Sequence, residues 1–298
     1  MRSETCKITI AALMTWLFWP LINAVCLAGE ADTLIVHPKT KEPVQRIYSA
    51  IIEGIQQTIR NSETLVLADD IQPVELSATL QRINPETIIA LSRMAAEKVV
   101  QSGYRDRMIV AGALFDPDEY SGVSLAIDSR SLVKEIQSIL PFIQRIFILD
   151  SPTRASIKVY PESLYGSPSI ITQYHEDPLI STRQLWQLLN QETSINDAII
   201  LPSQLDREIL YELTQRAWQK KIILLSTNLA QLKEGVLMVF YPDNVEMGRQ
   251  IGAFSIEHQD QVFESLSQIQ VALNPTVARH LGLEFAPDVS TRFKLQVK

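Results

Sequence analysis

Cysteine is nearly absent. The 298 residues contain two, Cys6 and Cys26, and both fall within the first 28 residues. Beyond them no thiol is left to form a disulfide, act as a nucleophile or ligate a metal. Stability must then come from core burial. Basic charge is also short, with 27 Lys and Arg against 34 Asp and Glu, a net charge of −7 and no basic stripe. Phosphate backbones demand such a surplus, so nucleic acid is not expected as a partner. Signatures of bond-making chemistry are missing: there is no GxSxG, GxxxxGK(S/T), HExxH or GxGxxG. The four histidines, His37, His175, His258 and His280, lack metal-ligand spacing. No catalytic residue, metal or cofactor is expected. No tandem repeat, low-complexity tract or long Gly/Ser linker occurs, so connections between units must be short and hinge-like.

What is present is a globular composition, 46% hydrophobic and 20% charged. Its length suffices for two α/β lobes of ordinary size. One long apolar run stands out, Ile8 to Ala28, after Arg2 and Lys7 and ending in Cys26-Leu27-Ala28. A basic start, an apolar middle and a small-residue exit describe a cleavable secretory signal over residues 1–28. An uncleaved membrane anchor is the alternative, since the run nearly spans a bilayer; Pro20 and Asn23 weaken that span. Lipid attachment at Cys26 is disfavoured by Val25 before it, where a small residue is wanted. A cysteine-free mature chain suits the bacterial periplasm, the expected location.

Beyond the leader, short apolar runs alternate with amphipathic segments. Strands are predicted at 33–36, 64–68, 88–91, 108–114, 123–127, 145–149, 170–174, 198–201, 222–225, 236–241 and 268–273. Helices are predicted at about 44–60, 73–82, from 92 to about 102, around 132–140, and at 182–190, 206–219, 244–258 and 277–281. In the first of these Val44, Ile47, Ile51, Ile55 and Ile59 are read as the inward face. Such strands between helices imply parallel sheets covered on both faces. The segment Asp106–Asp150 reads as a first crossing between two such lobes.

Ligands of open parallel sheets sit beyond the carboxyl ends of the strands. That rule selects His37, Ser92, Arg93, Asp116, Ser121, Ser124, Tyr174, Ser203, Gln204 and Ser226, with Asp69, Asp150 and Asp243 also at strand ends. Ser92 and Ser203 each follow a strand and precede a helix, where exposed N–H groups favour a carboxylate or phosphate. The alternative is that each serine caps its own helix. Arg93 offers a charge-assisted bond to an acidic ligand or points to solvent. Tyr120, Tyr174, Trp186 and Tyr241 are aromatic faces for stacking, or rim packing.

Several segments, in order, carry a family resemblance: Leu34-Ile-Val-His37-Pro38 before a long helix; Asp116-Pro117 with Gly122-Val123-Ser124; Leu140-Pro141 through Leu149; Asp197-Ala198 through Pro202-Ser203-Gln204; Met247-Gly248-Arg249-Gln250; and Asn274-Pro-Thr276 through Leu281-Gly282 and Pro287. Together they resemble the substrate-binding proteins of ABC transporters with the type 1 periplasmic-binding-protein fold. The resemblance implies two Rossmann-like lobes joined by a hinge, one built from 32–124 plus about 240–264, the other from 125–239 plus about 265–298. It implies a small solute held between the lobes and an ABC permease in the inner membrane as partner; a periplasmic sensor signalling to a membrane receptor is the alternative. Besides a shortened loop after the Asp116-Pro117 corner, this chain departs from the family pattern in two places. A small glycine-containing turn after the third strand is here Leu91-Ser92-Arg93-Met94, and a strand-end aspartate is Gln204. The second change argues against an amino-acid ligand, whose ammonium group would pair with that carboxylate.

Overall fold

In the computed structural model the described residues are 32–150, 155–161, 168–257 and 263–297. The expected leader, both cysteines and His258 lie outside them. Two seven-stranded sheets organise the chain. The first contains β1 (Thr33–Pro38), β2 (Ser62–Leu67), β3 (Thr87–Leu91), β4 (Met108–Ala111), β5 (Gly122–Asp128), β7 (Ile157–Lys158) and β12 (Phe263–Leu266). Its order is β12-β5-β4-β3-β1-β2, with β7 also beside β5, and every pairing is parallel. The second contains β6 (Arg145–Asp150), β8 (Ser169–Tyr174), β9 (Asp197–Ile200), β10 (Ile223–Ser226), β11 (Met238–Pro242), β13 (Ile269–Leu273) and β14 (Phe293–Gln296). Its order is β14-β13-β11-β10-β9-β6-β8, parallel except where β13 runs against β11.

The apolar strands explain this arrangement. Ile88–Leu91, Ile146–Leu149 and Ala198–Ile200 are buried throughout, as strands covered on both faces must be. The covering helices are α1 (Val44–Thr58), α2 (Pro73–Ile83), α3 (Arg93–Gln101), α4 (Ser129–Ile139), α5 (Pro178–Gln187), α6 (Arg207–Lys220), α7 (Asn244–Glu257), α8 (Pro275–Leu281) and the short α9 (Pro287–Ser290). One buried cluster runs from Ile35 and Ile89 in the first sheet to Ile146, Ile200 and Ile223 in the second.

The chain passes between the sheets after β5, β6, β7, β11 and β12. The excursion of β7 is bonded at both ends. Asp150, the last residue of β6, accepts hydrogen bonds from Ser156, and the Ser156 carbonyl accepts the Ile127 N–H of β5 at 2.9 Å. The α1–α7 packing joins an early segment to a late one at glycines. A Cβ on Gly54 would lie 2.0 Å from the Val245 carbonyl oxygen, and one on Gly248 would lie 2.1 Å from that of Ile51. Only hydrogen fits at that crossing.

Several sequence expectations are corrected. β4 ends at Ala111, not at residue 114, because Gly112 turns the chain at φ +67°. Helix α5 begins at Pro178, not 182, capped by the Asp177 side chain. Val44 and Ile47 are exposed, because the face of α1 that packs inward is centred on Ile51, Gly54 and Ile55. Strands β7, β12 and β14 had no counterpart in the sequence reading.

Candidate functional site

At the carboxyl edge of the first sheet His37, next to last in β1, is half-buried, its ring stacked on Tyr48 of α1 at 5.3 Å and 26°. The His37 Nδ1 lies 2.9 Å from the Pro38 carbonyl oxygen. Burial pushes the pKa of the Tyr48 phenol up, and the neighbouring Ser92 side chain opposes that rise. Ser92 is the turn from β3 into α3. Its side chain accepts the Ala95 N–H at 3.1 Å, and its own N–H donates to the Ala111 carbonyl at 2.9 Å. Its backbone sits at φ +132°, ψ +161°, a region almost confined to glycine. His37, Tyr48 and Ser92 therefore form one cluster, with strained backbone at its centre.

Arg93 follows directly, but its guanidinium turns aside. It pairs with both carboxylate oxygens of Glu119 and donates to the Leu114 carbonyl at 3.1 Å. The Glu119 bonds hold the Arg93 pKa above its ordinary value, against a smaller effect of burial. Asp116 is exposed in the same corner, its carbonyl accepting the Glu119 N–H at 2.9 Å. Ser124 is buried inside β5, where its hydroxyl oxygen accepts N–H groups of Phe115 and Ala126, each at 3.3 Å. It ties down the corner loop. Ser121 lies elsewhere: it precedes β5 and lines a polar groove of about 700 Å³ with Glu86, Arg105 and Arg107, at the amino ends of β3 and β4.

The second sheet assembles a separate set. Tyr174 ends β8 with 40% of its surface exposed. Ser226 ends β10 fully buried, donating to the Gln231 Oε1 at 2.6 Å and accepting the Asn228 N–H at 2.9 Å. Gln231 then donates to the Pro202 carbonyl at 2.9 Å, and the Asn228 amide to the Ser203 carbonyl at 2.8 Å. Ser203 and Ser226 thus meet through Asn228, binding the β9 and β10 loops together. Ser203 does not cap α6; Asp206 does. Gln204 is exposed.

The residues the sequence reading omitted include Tyr48, Asn228, Thr227 and Gln173. Tyr48 had a signal, since it shares the inward helical face with Ile51 and Ile55. Thr227 Oγ1 and Gln173 Oε1 are buried without a hydrogen-bond partner among the described residues; Thr227 follows β10, and Gln173 is next to last in β8. Among the described residues no helix is long and apolar enough to cross a membrane, and no group of three or more His, Cys, Asp or Glu side chains is placed to hold a metal.

No family model and no curated protein matches the sequence. Solved structures do. The ligand-free, open structure of a substrate-binding protein with adhesive properties from Clostridium difficile superposes with a TM-score of 0.60 at 12% identity, covering 90% of this chain and 99% of that one. An ABC domain from Streptococcus pneumonia in complex with L-Trp follows at a TM-score of 0.49 and 15% identity, covering 89% of this chain and 99% of that one. A conserved domain protein from Vibrio cholerae gives 0.48 and 14%, covering 90% of this chain and all of that one. At these identities the likeness is one of fold: the chain is built as the two-lobed α/β type of the periplasmic binding proteins.

Proposed function

We propose that this chain is a non-enzymatic solute-binding protein of the periplasm, the receptor component of an ABC-type importer, closing its lobes around a small organic ligand and delivering it to a permease. The observation that carries this reading is the cluster of Tyr48, His37 and Ser92 at the carboxyl edge of the first sheet. Strained backbone is retained where something is gained from it, and Ser92 holds glycine-like angles at a strand–helix turn, the place where open α/β sheets receive ligands. The buried Thr227 and Gln173 oxygens, without a partner among the described residues, give the second sheet hydrogen-bonding capacity near its strand ends.

A second reading, a periplasmic sensor that signals to a membrane receptor with weak or no ligand binding, is favoured by Arg93. Its guanidinium is already paired with Glu119 and bonded to the Leu114 carbonyl. A thermal-shift screen of the full chain, purified from expressing cells, separates the two. A specific ligand at ~100 times its dissociation constant should raise stability by roughly 2.7 kcal/mol. A hit that weakens on Tyr48→Ala supports the receptor. A well-folded protein that shifts with none of the amino acids, nucleosides, organic acids or oligopeptides refutes it in favour of the sensor.

A further inference from the structure

We propose that this chain forms a two-fold dimer in which strand β2 of one copy pairs antiparallel with β2 of a second, joining their first sheets into one.

β2 is an outer strand of the first sheet. It is bonded to β1 on one side and to no strand of the described residues on the other. The ladder fixes which of its backbone groups are used. At its two ends the Thr33 N–H donates to the Asn61 carbonyl and the Lys39 N–H to the Leu67 carbonyl. With Thr33 beside Ser62 in register, the backbone groups of 61, 63, 65 and 67 turn toward β1. Those of Ser62, Thr64 and Val66 turn outward. Thr64 and Val66 are exposed, Val66 with 51% of its surface, so their N–H and C=O groups form an open template.

The other outer strands are blunted. Beside β12 the Gln250 amide donates to the Ser265 carbonyl at 2.9 Å and accepts the Ser267 N–H at 3.1 Å. β14 has four residues and carries the exposed Lys294. Along β8 only Tyr174 is exposed. β2 has six residues and no lysine, proline or bulge, the devices that keep sheet edges apart.

The strand is also its own complement. Antiparallel pairing must set outward residues opposite outward residues. With the two-fold axis at Thr64, Ser62 faces the partner's Val66 and Thr64 faces its own copy. All three outward residues then bond, making about six backbone hydrogen bonds. Threonine opposite threonine is a favourable cross-strand pair. The one charge, Glu63, faces the partner's Leu65. Just before the strand the exposed Arg60 comes opposite the partner's Ala68 and next to its exposed Asp69. The symmetry makes that contact of opposite charges twice. Moving the axis to Glu63 would set the carboxylate against itself, which is destabilising. Moving it to Leu65 would leave Ser62 opposite Ala68, beyond the strand. Thr64 also lines a groove of about 390 Å³ with Ser49, Ile52 and Gln56 of α1, which leaves room for the partner's side chains on that face.

Sedimentation velocity of the full chain over a dilution series should show monomer and dimer in equilibrium. Val66→Lys places an ammonium group on the joined edge and should weaken association roughly ten-fold or more. Its far-UV circular dichroism should stay native, because Val66 is exposed. Two readouts do not depend on that variant. The amides of Thr64 and Val66 should exchange more slowly as the protein concentration rises. Thr64→Cys in a Cys6→Ser, Cys26→Ser background should oxidise to a crosslinked dimer. A hydrogen-bonded antiparallel pair sets its Cα atoms about 5.5 Å apart, within disulfide reach. Tyr211→Cys, exposed on α6, should not crosslink in the same background. A chain that stays monomeric at every concentration overturns the proposal. So does a dimer that persists in folded Val66→Lys, or one whose Thr64 and Val66 amides exchange independently of concentration, since each places the contact elsewhere. Equal crosslinking at positions 64 and 211 is chance collision and contradicts it.

Discussion

The carboxylate of Asp150 accepts both the N–H of Ser156, at 2.6 Å, and its hydroxyl, at 2.7 Å. Asp150 closes a strand of the second sheet, and Ser156 leads into β7 of the first, so this buried bond pair spans the two sheets. Ser156→Ala removes the hydroxyl bond to a buried carboxylate and leaves the N–H bond. A charge-assisted bond of this kind is worth roughly 1.5–3 kcal/mol, and melting should fall by roughly 2–4 °C for each kcal/mol at this size. An unchanged melting temperature in calorimetry would show that β7 is held by its strand pairing alone.

Ser92 offers an unusual test, because the substitution expected to stabilise lies at the candidate site. Glycine as N-cap costs only a few tenths of a kcal/mol relative to serine, whereas the φ of +132° costs about 1–3 kcal/mol in any other residue. Ser92→Gly should therefore raise the denaturation midpoint by the equivalent of roughly 1 kcal/mol. Ser92→Ala keeps the strain, loses the cap, and should lower it by about the same amount. Equal losses in both variants, read from urea curves, would show that the strain is not real.

Asp197 sets an acid limit. Its buried carboxylate would be pushed up by desolvation, but bonds from Arg145, at 2.8 and 2.7 Å, and from the N–H and hydroxyl of Ser194 outweigh this and hold its pKa below the ordinary 3.8. A folded-state pKa below the unfolded one gives stability that is fully present above about pH 4. It is lost as pH falls through the folded value. The melting temperature of the native chain should drop below pH 4 more steeply than that of Asp197→Asn; parallel curves would contradict the assignment.

The α1–α7 crossing leaves no room for a methyl group. Gly248→Ala would drive its Cβ against the Ile51 carbonyl oxygen and should cost roughly 1–3 kcal/mol through separation of the two helices. Gly103→Ala has open space around its Cβ but a φ of +85°, so its loss should come from backbone strain alone, with the helix packing unaffected. Amide exchange distinguishes them: protection in α1 and α7 should fall in the first variant only.

The sequence pattern revealed the buried strands because runs such as Ile146-Phe-Ile-Leu149 have no other stable placement in water. It missed those whose place depends on partners far along the chain. Phe263-Glu-Ser-Leu266 is a strand because β5 lies beside it, and Ile157-Lys158 is too short to carry a period. Proximity to a strand end selected His37 and Ser92, which the structure brings together. It equally selected Ser121, which lies at the opposite end of the strands, and Ser124, which faces the interior. A serine's neighbours in sequence do not say which way its hydroxyl will point or who will receive it. Tyr48 was legible in principle, through its place on the helix face of Ile51 and Ile55.

Because the chain returns to the first sheet so late, that sheet is unfinished for most of the time the polypeptide is being made. A nascent chain that has reached residue 240 has produced α1 but not the helix against which Gly54 lies, and has produced β5 but not its neighbour β12. The second sheet in turn waits for β13 and for β14 at Phe293–Gln296. Such distant pairings are slow to form. Neither sheet has all its strands until β12, for the first, and β14, for the second, have been added, so each stays short of a partner long after its central strands exist.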